Sequence, residues 1–138
     1  MDIQWSNELE TGIEEIDNHH KEMLRRFNDF QTACYLEKGL DKLSDQLAFL
    51  GDYVKCHLAM EEQLQIDHNY PGYLKHKEEH DGFIRDFREF ENQLNIKGTT
   101  SNLLILTNFK LVIWLAQHFN WMDKDLATFL EATPNQHR

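Results

Sequence analysis

His57 and Glu61 stand four residues apart, and so do His76 and His80, with Asn69-Tyr70-Pro71-Gly72 between the two pairs. On a helix that spacing sets two side chains on one face, one turn apart. Proline and glycine together mark the intervening run as a turn. A single pair would read as solvated surface groups. Two pairs facing each other across one turn point to half of a metal site built between neighbouring helices, and the rest of the chain tests that reading.

Hydrophobic periodicity sets the frame. A first helix over about 19–37 carries His20, Leu24, Phe27, Gln31 and Cys34 at alternating steps of four and three, widened by Met23 and Phe30. Asp17 or Asn18 is its expected N-cap, and Gly39 suits the left-handed position after it. A second helix, capped by Asp41 and reaching about 66, places Leu43, Leu47, Leu50, Val54, His57, Glu61 and Leu64 in one stripe. His57 and Glu61 therefore share a core-facing stripe, where a polar group needs a partner. A third helix runs from the Pro71-Gly72 turn to about 95, with His76 and His80 heading a seam of Phe83, Phe87, Phe90 and Leu94. After a loop over 96–101, with Thr100 or Ser101 as cap, a fourth helix runs from about 102 to 118 or just past it. Leu104, Leu111, Trp114, Leu115 and His118 share its inner side. A short last helix over 125–131 follows, and Pro134 ends regular structure. The fold class predicted is all-α: an up-down-up-down four-helix bundle.

In such a bundle, depth can be counted from each turn. Glu61 falls level with His76, and His57 with His80, about 7 and 13 Å from the turn at 1.5 Å rise per residue. His20 and His118 reach the same layer from the other two helices, and Asp123 lies about one turn beyond His118. The set is His20, His57, Glu61, His76, His80, His118 and Asp123: five imidazoles and two carboxylates. That is too many for one tetrahedral zinc. It suits two metals, with imidazole favouring Fe, Zn or Cu and carboxylates able to bridge. The common di-iron carboxylate bundle needs Glu-x-x-His on two helices, and no histidine of this chain has a Glu three residues before it. HExxH is absent as well. A histidine-rich, carboxylate-poor site remains.

Composition excludes several functions. With 138 residues the chain reads as a single domain over 1–138, an arm over 1–17 anchored by Trp5 and a helical bundle over 18–132. A net charge of −10 argues against nucleic acid and against anionic membrane surfaces. No secretory signal is recognisable, and the longest strongly apolar run, Leu103 to Leu106, cannot span a bilayer. Cys34 and Cys56 form no CxxC pattern and read as buried, reduced thiols of a cytoplasmic protein.

With these residues assembled, the chain resembles the hemerythrin family, in particular its bacterial single-domain members, over nearly its whole length. Trp5, Gly12-Ile13 and Ile16-Asp17-x-x-His20-Lys21 look like the family's approach to its first helix. His57-x-x-x-Glu61-Glu62, Tyr70-Pro71, His76-x-x-x-His80 and Phe83 resemble its central motif, and Trp114-x-x-x-His118 with Asp123 its closing one. The resemblance implies a non-haem di-iron centre with an oxo or hydroxo bridge. His76, His80 and His118 would hold one iron, His20 and His57 the other, and Glu61 and Asp123 would bridge them. It implies reversible binding of dioxygen at the two-histidine iron, and no enzymatic turnover. The role would be transport, storage or sensing. Two alternatives use the same site: an oxygen- or redox-sensing input module with a signalling output domain, and iron holding or peroxide or nitric oxide chemistry with an electron donor.

Two positions depart from the family's pattern. Gln65 stands where a methionine is usual, four residues after the ligand glutamate, and Leu58 replaces the phenylalanine of a His-Phe pair. Gln65 either ends its helix or faces the pocket. His19, His68 and His137 lack partners in the pattern and read as solvated, and Glu62, which faces away from the core stripe, reads as solvated or as a support behind the ligands rather than as a ligand. Trp114, Trp121 and the phenylalanine seam read as core, as does Cys56.

Overall fold

The phenylalanines of the third helix find their partners on the first. The computed structural model describes residues 3–96 and 101–132, and in it Phe87 meets Phe27 edge-on at 6.3 Å and Phe90 meets Phe30 at 5.6 Å. These rings belong to α1 (Glu14–Tyr35) and α3 (Tyr73–Asn95). α2 (Leu40–Asp67) and α4 (Ser101–His118) complete the bundle. α1 packs on α2 and α4, and α3 packs on the same two, so the four long helices close into one ring. A π-helical turn (Phe119–Asp123) joins α4 to the short α5 (Lys124–Glu131). The fold is the expected four-helix bundle, and the described residues contain no strand. None of the described helices is long and apolar enough to cross a membrane.

The core has two halves. One is apolar, built on Phe27, Phe30, Phe83, Phe87 and Phe90 with Leu47, Leu50 and Leu115, all nearly inaccessible. Edge-on ring pairs add to the area they bury. One polar pair sits within the core, where Asn108 Nδ2 donates to the Phe27 carbonyl at 3.1 Å and approaches Gln31 Oε1 at 3.5 Å. The other half, toward the α2–α3 turn, is where the histidines gather.

Several local expectations give way to a different solution. α1 begins at Glu14, ahead of the expected arm boundary, so Asp17 lies inside the helix rather than capping it. Its carboxylate instead reaches back to the arm, accepting from the Thr11 amide and hydroxyl at 2.8 Å each and from the Gly12 amide at 3.2 Å. Gly12 has φ +90, a conformation side chains rarely adopt, and a Cβ there would stand 2.8 Å from Glu131 Oε1. Trp5 is half-buried as the arm's anchor, with the Lys21 ammonium 5.2 Å above its ring.

α1 ends at Tyr35, and the left-handed position after it falls not on Gly39 but on Glu37, with φ 51. Two bonds define the turn, Lys38 N–H to the Ala33 carbonyl and Glu37 N–H to the Cys34 carbonyl, both 3.1 Å. This is the paired closure that usually employs glycine. Gly39, at φ −58, has an ordinary conformation and precedes α2. The same closure ends α2, with Asn69 at φ 54 and Tyr70 N–H bonded to the Gln65 carbonyl. Ser101 is the first residue of α4 rather than its cap. Thr100, Pro134 and His137 lie outside the described residues.

Four burial expectations are also corrected. Cys56 is exposed, because the residue before an inward-facing His57 is turned about 100° away from it. His68 is buried rather than solvated, its Nδ1–H donating to the Leu64 carbonyl at 2.9 Å. Trp121 is 63% exposed rather than core, a consequence of the π turn described below. Leu64, expected on the inner stripe of α2, is half-buried, while Gln65 beside it is fully buried.

Candidate metal centre

The seven singled-out side chains meet at the end of the bundle that holds the α2–α3 turn. α1 supplies His20, α2 supplies His57 and Glu61, α3 supplies His76 and His80, α4 ends on His118, and the π turn ends on Asp123. None is more than 4% exposed.

The two carboxylates divide the histidines into two groups. Glu61 turns Oε1 toward α3, 3.4 Å from His80 Nε2 and 3.9 Å from His76 Nε2. Its Oε2 faces the other way, 3.1 Å from His57 Nε2 and 3.6 Å from His20 Nε2. Asp123 does the same, with Oδ1 at 3.0 Å from His76 Nε2 and 3.3 Å from His118 Nε2, and Oδ2 at 2.9 Å from His20 Nε2. Within the first group, His118 Nε2 lies 2.9 Å from His76 Nε2 and 3.1 Å from His80 Nε2. Two overlapping ligand sets result, Glu61, His76, His80, His118 and Asp123 in one, and His20, His57, Glu61 and Asp123 in the other. In each, one ligand atom per residue lies within 4.8 Å of all the rest.

A purely hydrogen-bonded cluster does not explain this arrangement. His20 Nε2, His57 Nε2 and both oxygens of Glu61 and of Asp123 are buried and make no hydrogen bond, despite their short separations. Buried polar atoms left unpaired cost about 1–3 kcal/mol each. Atoms that crowd together without bonding one another are disposed like ligands around shared points. The donor set passes the same test, since imidazole nitrogen with carboxylate oxygen suits first-row metals such as iron.

Electrostatics favours positive charge at the centre. Burial works against a charged His20, but the Asp123 and Glu61 carboxylates outweigh it and push the imidazole up to about 9. Burial likewise opposes His80, and Glu61 and Glu62 raise it. Burial and their mutual repulsion would raise Glu61 and Asp123. The surrounding histidines prevail and hold both carboxyls well below the usual range.

A second ring of contacts orients the imidazoles. Glu62 Oε2 lies 2.8 Å from His80 Nδ1, so of the two expected places for this carboxylate it takes the one behind a ligand rather than in solvent. The Gln65 amide lies 2.8 Å from His76 Nδ1 and is fully buried. It thus faces inward, against the outer edge of a ligand ring. His19, expected to be solvated, is half-buried with its Nδ1 2.9 Å from His57 Nδ1. Phe119 stacks on His20 at 3.6 Å, and Trp114 stacks on His118 at 4.9 Å. The spacing of Gln65 from Glu61 hinted at its place. Nothing in the sequence signals the role of His19, which depends on how closely α1 approaches α2.

The π turn explains how His118 and Asp123 meet. Residues five apart on an α-helix point about 140° away from each other. One extra residue in the turn brings them onto the same side, and π turns recur at functional sites for this reason. The same extra residue turns Trp121 out to solvent.

Comparison with known proteins agrees with this geometry. Residues 11–130 match the family model described as the hemerythrin HHE cation binding domain. The chain is similar to the bacteriohemerythrin of Clostridium acetobutylicum, 27% identical over 125 residues that cover 88% of this chain and 95% of the relative. It is similar to that of Stenotrophomonas maltophilia, 27% identical over 136 residues, 97% of this chain and 85% of the relative. That of Pseudomonas aeruginosa is 34% identical over 90 residues, 64% of this chain and 57% of the relative. A family match that runs through 11–130 and takes in all seven clustered residues shows that this chain belongs to the hemerythrin family.

Proposed function

We propose that this chain binds dioxygen reversibly at a non-haem di-iron centre, as a carrier, store or sensor rather than as an enzyme. The observation that carries the reading is the divided loyalty of Glu61 and Asp123, each presenting one oxygen to each histidine group. On this reading His76, His80 and His118 would hold one iron and His20 and His57 the other, with Glu61 and Asp123 in reach of both. The iron with fewer histidine ligands would be the one open to an exogenous ligand. When bound, such a pair supplies the two electrons that reversible capture of dioxygen requires.

The chain's own contribution is a buried, pre-assembled set of donors. Phe119 is buried against His20, and Trp114 covers His118. Excluding water suppresses proton leakage and side reactions at such a centre. The two unpaired cysteines favour the cytoplasm as the compartment. A signalling output domain or an electron donor would be the macromolecular partner.

The test is an anaerobic iron titration followed by air, watched by visible absorption. Saturation at about two irons per chain, with a new absorption band that vanishes when dioxygen is removed, is the expected result. An immediate and irreversible ferric spectrum would replace reversible binding with a redox or peroxide role. Uptake of zinc in preference to iron would remove dioxygen from the account.

A further inference from the structure

Glu62 and Gln65 stand one turn apart on α2, and their side chains reach the two ligand-bearing rings of α3 from outside. Glu62 meets His80 Nδ1 and Gln65 meets His76 Nδ1, each at 2.8 Å. Both rings point Nε2 the other way, toward Glu61, Asp123 and His118. A neutral imidazole that gives Nε2 to a metal must carry its proton on Nδ1. An ionised carboxylate can only accept, so Glu62 demands that proton on His80. The Gln65 atom placed against His76 Nδ1 is Nε2; a half-turn of the amide, whose two ends are assigned only from their hydrogen bonds, sets Oε1 there instead and meets the same demand.

Stability alone gives no reason for Gln65. It is fully exclusive of solvent, and one end of its amide has no partner. An apolar side chain of similar size would avoid that cost. The one hydrogen bond its side chain makes goes to His76. Glu62 is anchored in turn by Lys77, whose Nζ lies 3.3 Å from its Oε1. Among the described residues no comparable bracket serves the remaining rings. His20 Nδ1 and His118 Nδ1 make no hydrogen bond, and His57 Nδ1 has only the half-buried ring of His19.

We propose that Glu62 and Gln65 are positioning residues that pin both α3 histidines in the metal-binding tautomer, so that the three-histidine half of the centre takes up its metal first. The inference rests on the two-metal reading above and deepens it. Because both bracket residues and two of the three histidines belong to the α2–α3 hairpin, with only His118 coming from α4, most of this half is organised by neighbouring helices before a metal arrives. The two-histidine half draws its rings from α1 and α2 with less support behind them.

Cobalt(II) is the probe, followed by its visible absorption and by the exchangeable imidazole N–H resonances of the loaded chain. The wild-type chain should fill in two steps, the tighter one showing two N–H signals that exchange slowly with water. Glu62→Ala and Gln65→Met should each weaken that first step about 10- to 100-fold and speed exchange of one signal. Glu62→Gln, which keeps an acceptor, should restore part of the loss. Gln65→Met should do this without lowering the thermal midpoint of the chelated chain, which separates positioning from folding. His19→Ala, which touches neither α3 ring, should leave the first step unchanged. Bracket variants that leave the first step unchanged, or that weaken the second instead, would overturn the inference while two-metal binding stands. No cobalt uptake by the wild-type chain would overturn the metal-centre reading itself.

Discussion

His118 and His19 make the sharpest contrast at the scale of the residue. His118 Nε2 lies within 3.3 Å of His76, His80 and Asp123, whereas His19 touches the cluster only through the far side of His57. His118→Ala should therefore lose at least one metal, and His19→Ala should keep both, as counted by metal analysis after gel filtration. Full metal content in His118→Ala would overturn the ligand assignment. The cysteines separate as clearly. Burial pushes the Cys34 thiol up to about 11, while Cys56 is exposed. Since the thiolate is the reactive form, a thiol reagent at pH 8 should modify one cysteine quickly in the folded chain, and Cys56→Ser should abolish that phase. Cys34 should join only as the pH approaches 11 or the fold opens.

At the scale of the element, backbone conformation and close approach govern. Glu37 ends α1 in a left-handed conformation that costs a side chain about 1–2 kcal/mol. Glu37→Gly should relieve part of this and raise stability by up to about 1 kcal/mol after the added freedom of the unfolded chain is counted. Urea unfolding measures it, and a clear loss of stability would show that the side chain does more than tolerate the turn. Gly51 presents the opposite case. A Cβ there would stand 2.7 Å from Cε1 of Phe87, a ring only 2% exposed and held by neighbouring rings. Helix propensity favours alanine by about 1 kcal/mol, but overpacking a fixed ring costs about 1–3 kcal/mol. Gly51→Ala should thus destabilise, which the same unfolding curves would show.

The whole molecule couples an apolar half to a polar one. The phenylalanine seam packs without help from the histidine end, so helix formation should not depend on metal. Metal that binds only the native chain still stabilises it, by about 2.7 kcal/mol at a free concentration 100 times the dissociation constant. A chelator should lower the thermal midpoint while leaving the far-ultraviolet helix signal intact at 25 °C. Loss of helix on chelation would mean that the centre, not the seam, holds the bundle together.

The sequence by itself determined the helices and the layer. Stripes such as His20-Leu24-Phe27 and His80-Phe83-Phe87 are local periodicities, and each predicts an inward face without knowledge of its neighbour. Counting from the turns was enough to bring the histidines of four helices to one depth. Only the tertiary structure decided what lies behind the rings. Whether Glu62 reaches His80, Gln65 reaches His76 or His19 reaches His57 depends on a few tens of degrees of helix rotation and on interaxial distance, which periodicity does not encode. The π turn is of the same kind. One inserted residue aligns Asp123 with His118 and expels Trp121, and no local composition announces it, because the gain lies in contacts made with other helices.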